Sequence, residues 1–210
     1  MLNFLAEVVA ITASGALSPG PLTIATIRRG IEHGWKAGFQ VSIGHTIGEF
    51  SLVIVLALGF SKFLIFDFAR IIVGIVGGIA LAIYGIMQLR SISKDDLVHP
   101  HENYDGSSVW IGLTFSIFNP YFIVWWATVG LKLIADALTY ASFMGIIVMY
   151  VAHVWMDYAW LMLLSHLAFE GKRLFSEKAY RLLLVGLSLM MLIFATYFIV
   201  DSTLILLAQT

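Results

Sequence analysis

The sequence predicts an all-α membrane protein with six transmembrane helices, arranged as two inverted three-helix repeats in which helices one and four are broken. The first observation is composition. Of the 210 residues, 60% are hydrophobic and only 12% are charged, whereas soluble domains contain about 25% charged residues. The net charge of −1 indicates no nucleic-acid partner, and the absence of cysteine excludes disulfides and thiol chemistry.

The second observation is a series of long apolar segments. A spanning helix needs about 20 predominantly apolar residues. Six segments meet this requirement: 3–25, 38–60, 70–90, 109–131, 138–165 and 182–203. The first of them contains Glu7 and follows no basic region, so we expect it to be retained rather than cleaved as a signal. The connections are short, and residues 1–210 are predicted to form a single transmembrane domain.

The third observation is a matched pair of interruptions. Ser18-Pro19-Gly20-Pro21 breaks predicted helix one, and Asn119-Pro120 breaks predicted helix four at the corresponding place in the second half. An interior proline costs a helix about 3 kcal/mol. Interrupted helices at matching positions of inverted halves indicate a binding site near the bilayer midplane. The alternative, strongest for Pro120, is a kink whose backbone is satisfied by neighbouring helices.

Predicted helices two and five each contain a histidine followed by an acid. His45 and Glu49 are four residues apart, as are His153 and Asp157, so each pair lies on one helical face. A charged side chain at the bilayer centre costs at least about 2.5–3.5 kcal/mol, which makes these acids candidates for function. The alternative is a protonated carboxyl that serves packing. Histidine titrates near neutrality and could relay a proton.

Lysine and arginine predict the orientation. Nine of these residues follow predicted helices one, three and five, against three on the opposite side. The richer side is expected to be cytoplasmic. This places loop 91–108 in the cytoplasm and both termini outside, with repeats over about 1–90 and 109–210. In predicted helix three, Gly74 and Gly78 indicate close helix packing.

Several of these motifs together resemble the LysE/RhtB family of amino-acid exporters. They are Ser18-Pro19-Gly20-Pro21, Arg28-Arg29-Gly30, the stretch 33–49 and Asn119-Pro120, in the family's order and over nearly the whole chain. Two positions depart from the family pattern. Tyr121 stands where the family usually has lysine, and Glu49 where it more often has aspartate, which affects substrate charge preference and coupling rather than fold.

The resemblance implies a secondary transporter of the cell membrane, crossing it several times, that exports amino acids or related small metabolites by proton antiport. Its partners would be the small-molecule substrate, protons and membrane lipids, with no cofactor; whether it forms a homo-oligomer is left open. The proposed substrate-binding residues are Ser18, Pro19, Gly20, Pro21, Asn119, Pro120 and Tyr121. The proposed proton-coupling residues are Glu49, Asp157, His45 and His153.

Two other functions are alternatives to amino-acid export. A divalent-metal exporter would use His45, Glu49, His153 and Asp157 as four ligands, a set that suits zinc and related ions. It requires the two pairs to face each other within bonding range. An intramembrane enzyme is disfavoured, because the chain has no H-E-x-x-H motif and no recognisable nucleophile motif. We therefore expect no enzymatic activity.

Overall fold

A computed structural model describes residues 2–17, 20–60, 67–90, 107–172 and 177–208. These parts of the chain are helical and contain no strand, which confirms the predicted all-α class. The helices are α1 (Leu2–Ala16), α2 (Pro21–His33), α3 (Trp35–Val55), α4 (Asp67–Arg90), α5 (Ser108–Ile117), α6 (Pro120–Trp125), α7 (Leu131–Gly171) and α8 (Glu177–Leu207). Most of the predicted loop, residues 91–106, lies outside the described residues.

The first predicted helix is broken where the prolines stand. Helix α1 ends at Ala16 and α2 begins at Pro21. Proline is tolerated in the first turn of a helix because an N–H group at that position would make no intrahelical hydrogen bond. Helix α2 continues to His33, well past the predicted end at residue 25. That end was wrong because the second half of α2 is polar: Arg28 bonds Glu32 one turn along the helix.

The second interruption also lies at its proline. Helix α5 ends at Ile117, and α6 begins at Pro120 with Asn119 as its N-cap. The Asn119 Oδ1 atom accepts a hydrogen bond of 3.0 Å from the Tyr121 amide. An Asn side chain at this position satisfies one of the first-turn amides that have no intrahelical acceptor. Helix α6 then continues through a π-helical turn, Trp126–Gly130, into α7.

Helix α7 contains the reversal expected between predicted helices four and five, but at a later position than the predicted connection. Ala141 (φ −157°) and Ser142 (φ 50°) leave the helical conformation. A Cβ added to Gly145 would lie 2.0 Å from the Ala137 carbonyl oxygen, although eight residues of continuous helix span about 12 Å. The chain therefore folds back at 141–142, and the predicted gap at 132–137 between helices four and five was wrong. The charged residues there lie on the helix, where Lys132 bonds Asp136 at 2.7 Å.

Apolar helices long enough to cross a membrane agree with the predicted membrane class. In the described part of the chain, Trp35–Gly59, Pro120–Gly171 and Leu184–Leu207 are long enough, and Leu2–Ala13, Ile71–Met87 and Ser108–Ile117 are shorter apolar helices. Pro120–Gly171 includes the reversal just described. The number of spans, the inverted arrangement of the halves and the single-domain boundaries stay predictions.

Two glycines allow α3 and α5 to pack backbone against backbone. A Cβ on Gly44 would lie 1.8 Å from the Val109 carbonyl oxygen, and one on Gly112 would lie 2.0 Å from the Val41 carbonyl oxygen. Small residues at such positions permit close helix approach within membranes. As a result, the α3 face that carries the first histidine and acid lies directly against α5.

Candidate functional site

The four ionisable residues singled out in the sequence come together in the interior. Helix α3 contributes His45 and Glu49, and α7 contributes His153 and Asp157. Each residue is at most 6% exposed. The facing of the two pairs, on which the metal alternative depends, is therefore present in the fold.

One nitrogen or oxygen atom from each of the four side chains lies in a closed ring in which nitrogen and oxygen alternate. Glu49 Oε1 lies 3.3 Å from His45 Nε2 and 3.1 Å from His153 Nε2. Asp157 Oδ2 lies 3.4 Å from His153 Nε2 and 4.0 Å from His45 Nε2. Each carboxylate oxygen thus lies between both rings, so a proton or cation at the centre would interact with all four side chains.

A hydroxyl group orients each histidine. Thr12 Oγ1 donates to the Val8 carbonyl at 2.7 Å and lies 2.8 Å from His153 Nδ1. A hydroxyl has only one proton to donate, and Thr12 donates it to the Val8 carbonyl. His153 Nδ1 must therefore be the donor in its contact with Thr12 Oγ1. Nε2 of the same ring therefore faces the carboxylates.

The same arrangement holds for the other ring. Ser116 Oγ donates to the Gly112 carbonyl at 2.6 Å and lies 2.6 Å from His45 Nδ1. By the same reasoning, His45 Nδ1 is the donor and its Nε2 faces the acids. Thr12 and Ser116 were not predicted as site residues. Ser and Thr that bond the carbonyl one turn back are ordinary within helices, so no local signal distinguishes these two.

The carboxyls differ in their remaining partners. Glu49 accepts hydrogen bonds of 3.1 Å from Trp126 Nε1 and of 3.1 Å from the Tyr150 hydroxyl. Asp157 Oδ2 is buried and has no hydrogen-bond partner among the described residues. Buried polar atoms of native proteins are nearly always paired, so an orphan acceptor that faces a polar centre indicates a missing ligand, proton or water. The Tyr150 contact was also missed by sequence reasoning, since the residue lies on an otherwise apolar stretch of α7.

A cavity of about 390 Å³ connects this cluster with both helix breaks. Small-molecule sites typically occupy about 300–1,000 Å³. Gly20, Pro21, Asn119 and Tyr121 line it together with the four ionisable residues, and aromatic side chains form much of the remaining wall, namely Phe122, Trp125, Trp126 and Phe194. Pro120 begins α6 and is not among the lining residues. Ser18 and Pro19 lie outside the described residues.

The two breaks present their backbones differently. The Asn119 amide donates to the Ser116 carbonyl at 3.1 Å, and its own carbonyl accepts from Ile123 at 3.2 Å. Both backbone groups of Asn119 are therefore hydrogen-bonded within the chain. At the N-terminus of α2, in contrast, the N-cap residue is Gly20, which has no side chain to act as a cap, and Gly20, Pro21 and Leu22 line the cavity there. Its positive dipole end is directed at the cavity.

Long apolar helices, broken at two places around a cavity with buried ionisable groups, are typical of membrane transport proteins. The family model of the LysE type translocators matches residues 13–202, and the chain belongs to this family. The resemblance noted in the sequence is thereby confirmed. Members of the family are membrane translocators of small molecules and not enzymes. No curated protein and no solved structure matches the chain.

Proposed function

We propose that this translocator exports amino acids or related zwitterionic metabolites in exchange for protons, with both bound in the cavity at the helix breaks. The observation that supports this proposal is the electrostatic asymmetry of the cavity. One end is formed by the N-terminus of α2, where the N-cap residue is glycine, and the other by the Glu49 and Asp157 carboxyls. A zwitterion carries its two charges in the complementary arrangement.

The substrate carboxylate would bind at the α2 N-terminus. Helix N-termini bind anions because their amides point at the ligand and the helix dipole favours negative charge. Gly20 leaves the approach open, since even an added Cβ at this residue would meet no atom within 4 Å.

The substrate ammonium would bind at the two carboxyls. Asp157 Oδ2 is an unused acceptor, and an ammonium group offers three donors. The ammonium and the protons would then compete for the same acids, because each neutralises negative charge that is costly inside a membrane. Competition of this kind makes transport an exchange: protons displace the substrate on the acidic side, and the substrate displaces protons on the other.

The histidines would hold protons in transit between the acids. Both Nε2 atoms lie within 4.0 Å of both carboxylate oxygens named above, so a proton needs no large side-chain movement to change its host. The aromatic walls would accept the apolar part of the substrate, as in most small-molecule sites.

The paired hydroxyls also support the predicted inverted repeat. Thr12 of predicted helix one orients His153 of predicted helix five, and Ser116 of predicted helix four orients His45 of predicted helix two. Each contact joins the first helix of one half to the second helix of the other. Two halves related by a pseudo-twofold axis would produce this reciprocity.

The experiment compares Glu49→Gln with Glu7→Gln in proteoliposomes loaded with amino acids, under an imposed pH gradient. Glu49→Gln keeps the shape of the side chain but cannot bind and release a proton, so gradient-driven efflux should be lost while the thermal unfolding of the purified protein stays cooperative. Glu7 lies at the surface, where it bonds Lys132 at 2.7 Å, and its variant should transport normally. Normal proton-driven efflux by Glu49→Gln would refute the coupling role.

A further inference from the structure

The donor atoms of three residues at the site lie close enough together to hold a metal ion: one ligand atom each of His45, Glu49 and Asp157 lies within 4.8 Å of the other two. In a tetrahedral zinc site with ligands at about 2.0–2.2 Å, neighbouring ligand atoms are about 3.3–3.5 Å apart. The four contacts around the ring measure 3.3, 3.1, 3.4 and 4.0 Å. Three of them are close to the tetrahedral distance, and His153 joins the group of three through its contacts with Glu49 and Asp157.

The histidines are oriented as metal ligands usually are. A metal-bound imidazole almost always donates its other ring N–H to a nearby acceptor, which fixes both the tautomer and the ring plane. Thr12 and Ser116 are those acceptors here, at 2.8 Å and 2.6 Å. Both Nε2 atoms consequently face the centre of the ring.

The charges and chemistry of the donors select the ion. The two carboxylates together carry −2 and the neutral rings carry none, so a divalent cation makes the buried site neutral, as a membrane interior requires. Mixed imidazole and carboxylate ligands favour zinc and related transition metals over calcium or magnesium, which prefer oxygen shells. Asp157 Oδ2, unpartnered among the described residues, supplies the acceptor that the ion would use.

We propose that His45, Glu49, His153 and Asp157 bind one divalent transition-metal ion of the zinc type within the cavity. All four residues line the cavity, so an ion that enters it reaches its ligands without unfolding of the helices. This inference is independent of the proposed amino-acid transport, because it concerns equilibrium binding and not movement across the membrane.

The test uses the full chain without an affinity tag, purified in detergent, treated with a chelator and titrated with Zn²⁺ against a chromophoric zinc indicator. The expected result is one zinc ion per chain. His153→Ala should raise the dissociation constant by roughly 100-fold or more, since loss of a ligand exceeds the 10–100-fold effect typical of an outer-shell change. Thr12→Val, which alters only the acceptor of His153, should raise it about 10–100-fold. His166→Ala, on an exposed part of the same helix, is the control and should bind as the wild type does.

X-ray absorption on zinc-loaded wild-type protein decides the question even if a variant fails to fold. The spectrum should show four nitrogen or oxygen neighbours at about 2.0–2.1 Å, with scattering from two imidazoles. Absence of saturable binding by the wild type, a shell without two imidazoles, or equal weakening by His166→Ala would each overturn the proposal. The two proposals can fail separately. If the wild type binds no zinc but Glu49→Gln still abolishes gradient-driven efflux, the metal proposal is overturned and the transport proposal stands.

Discussion

Replacing Gly44 with alanine should force α3 away from α5 and disturb the polar cluster beside their contact. The added Cβ would lie 1.8 Å from the Val109 carbonyl oxygen and 2.7 Å from the Leu113 amide nitrogen. Both are backbone atoms, so no side-chain rotation relieves the overlap. Ordinary contact begins at 3.4 Å, and the helices must therefore separate by about 1.6 Å.

That separation determines the size of the effect. Overpacking a well-packed interior costs about 1–3 kcal/mol. His45 follows Gly44, and its 2.6 Å hydrogen bond to Ser116 spans the same helix contact. If the bond breaks, an unsatisfied buried donor costs about another 1–3 kcal/mol. Alanine's higher helix propensity returns only about 1 kcal/mol. The free energy of unfolding should consequently fall by about 3 kcal/mol.

The assay is reversible unfolding in mixed detergent micelles, followed by circular dichroism, with Gly186→Ala as the matched control. A Cβ on Gly186 would meet no atom within 4 Å, so this variant should equal the wild type or gain up to about 1 kcal/mol. The reasoning is refuted if Gly44→Ala is as stable as the wild type, or if both variants lose the same amount.

Two further substitutions test the contacts around the site. Thr12→Val removes the acceptor of His153 Nδ1 and should lower the free energy of unfolding by about 1–3 kcal/mol. Thr12→Ser keeps the hydroxyl and should lower the free energy of unfolding by less. Equal stabilities of the two variants would contradict the assigned hydrogen bond. Asn119→Ala removes the cap on the Tyr121 amide and should lower the free energy of unfolding by about 1 kcal/mol, whereas Asn119→Asp should retain most of the stabilisation by the cap. Denaturant unfolding measures both variants, and equal stabilities would contradict the capping role.

The local features of this chain were predictable because their causes are short-range. Proline cannot donate to the helix ladder whatever surrounds it, so the breaks before Pro21 and Pro120 follow from the sequence. Helical periodicity likewise places His45 beside Glu49 on one face. The position of the reversal at 141–142 was predicted too early in the chain, because that stretch contains no proline or glycine at the turn. Charged residues nearby indicated a gap instead, yet they form ion pairs on the helix surface.

The sequence by itself determined an all-α membrane protein with two proline breaks and two pairs of buried ionisable residues. Only the tertiary structure decided that these pairs close into one ring. Glu49 and His153 are separated by 104 positions, and Thr12 and His153 by 141. Such contacts depend on the depth and rotation at which helices pack, here set by glycines that let α3 approach α5. Periodicity along one helix contains no information about the rotation of its neighbour, and so the ring of four side chains emerges only from the packed bundle.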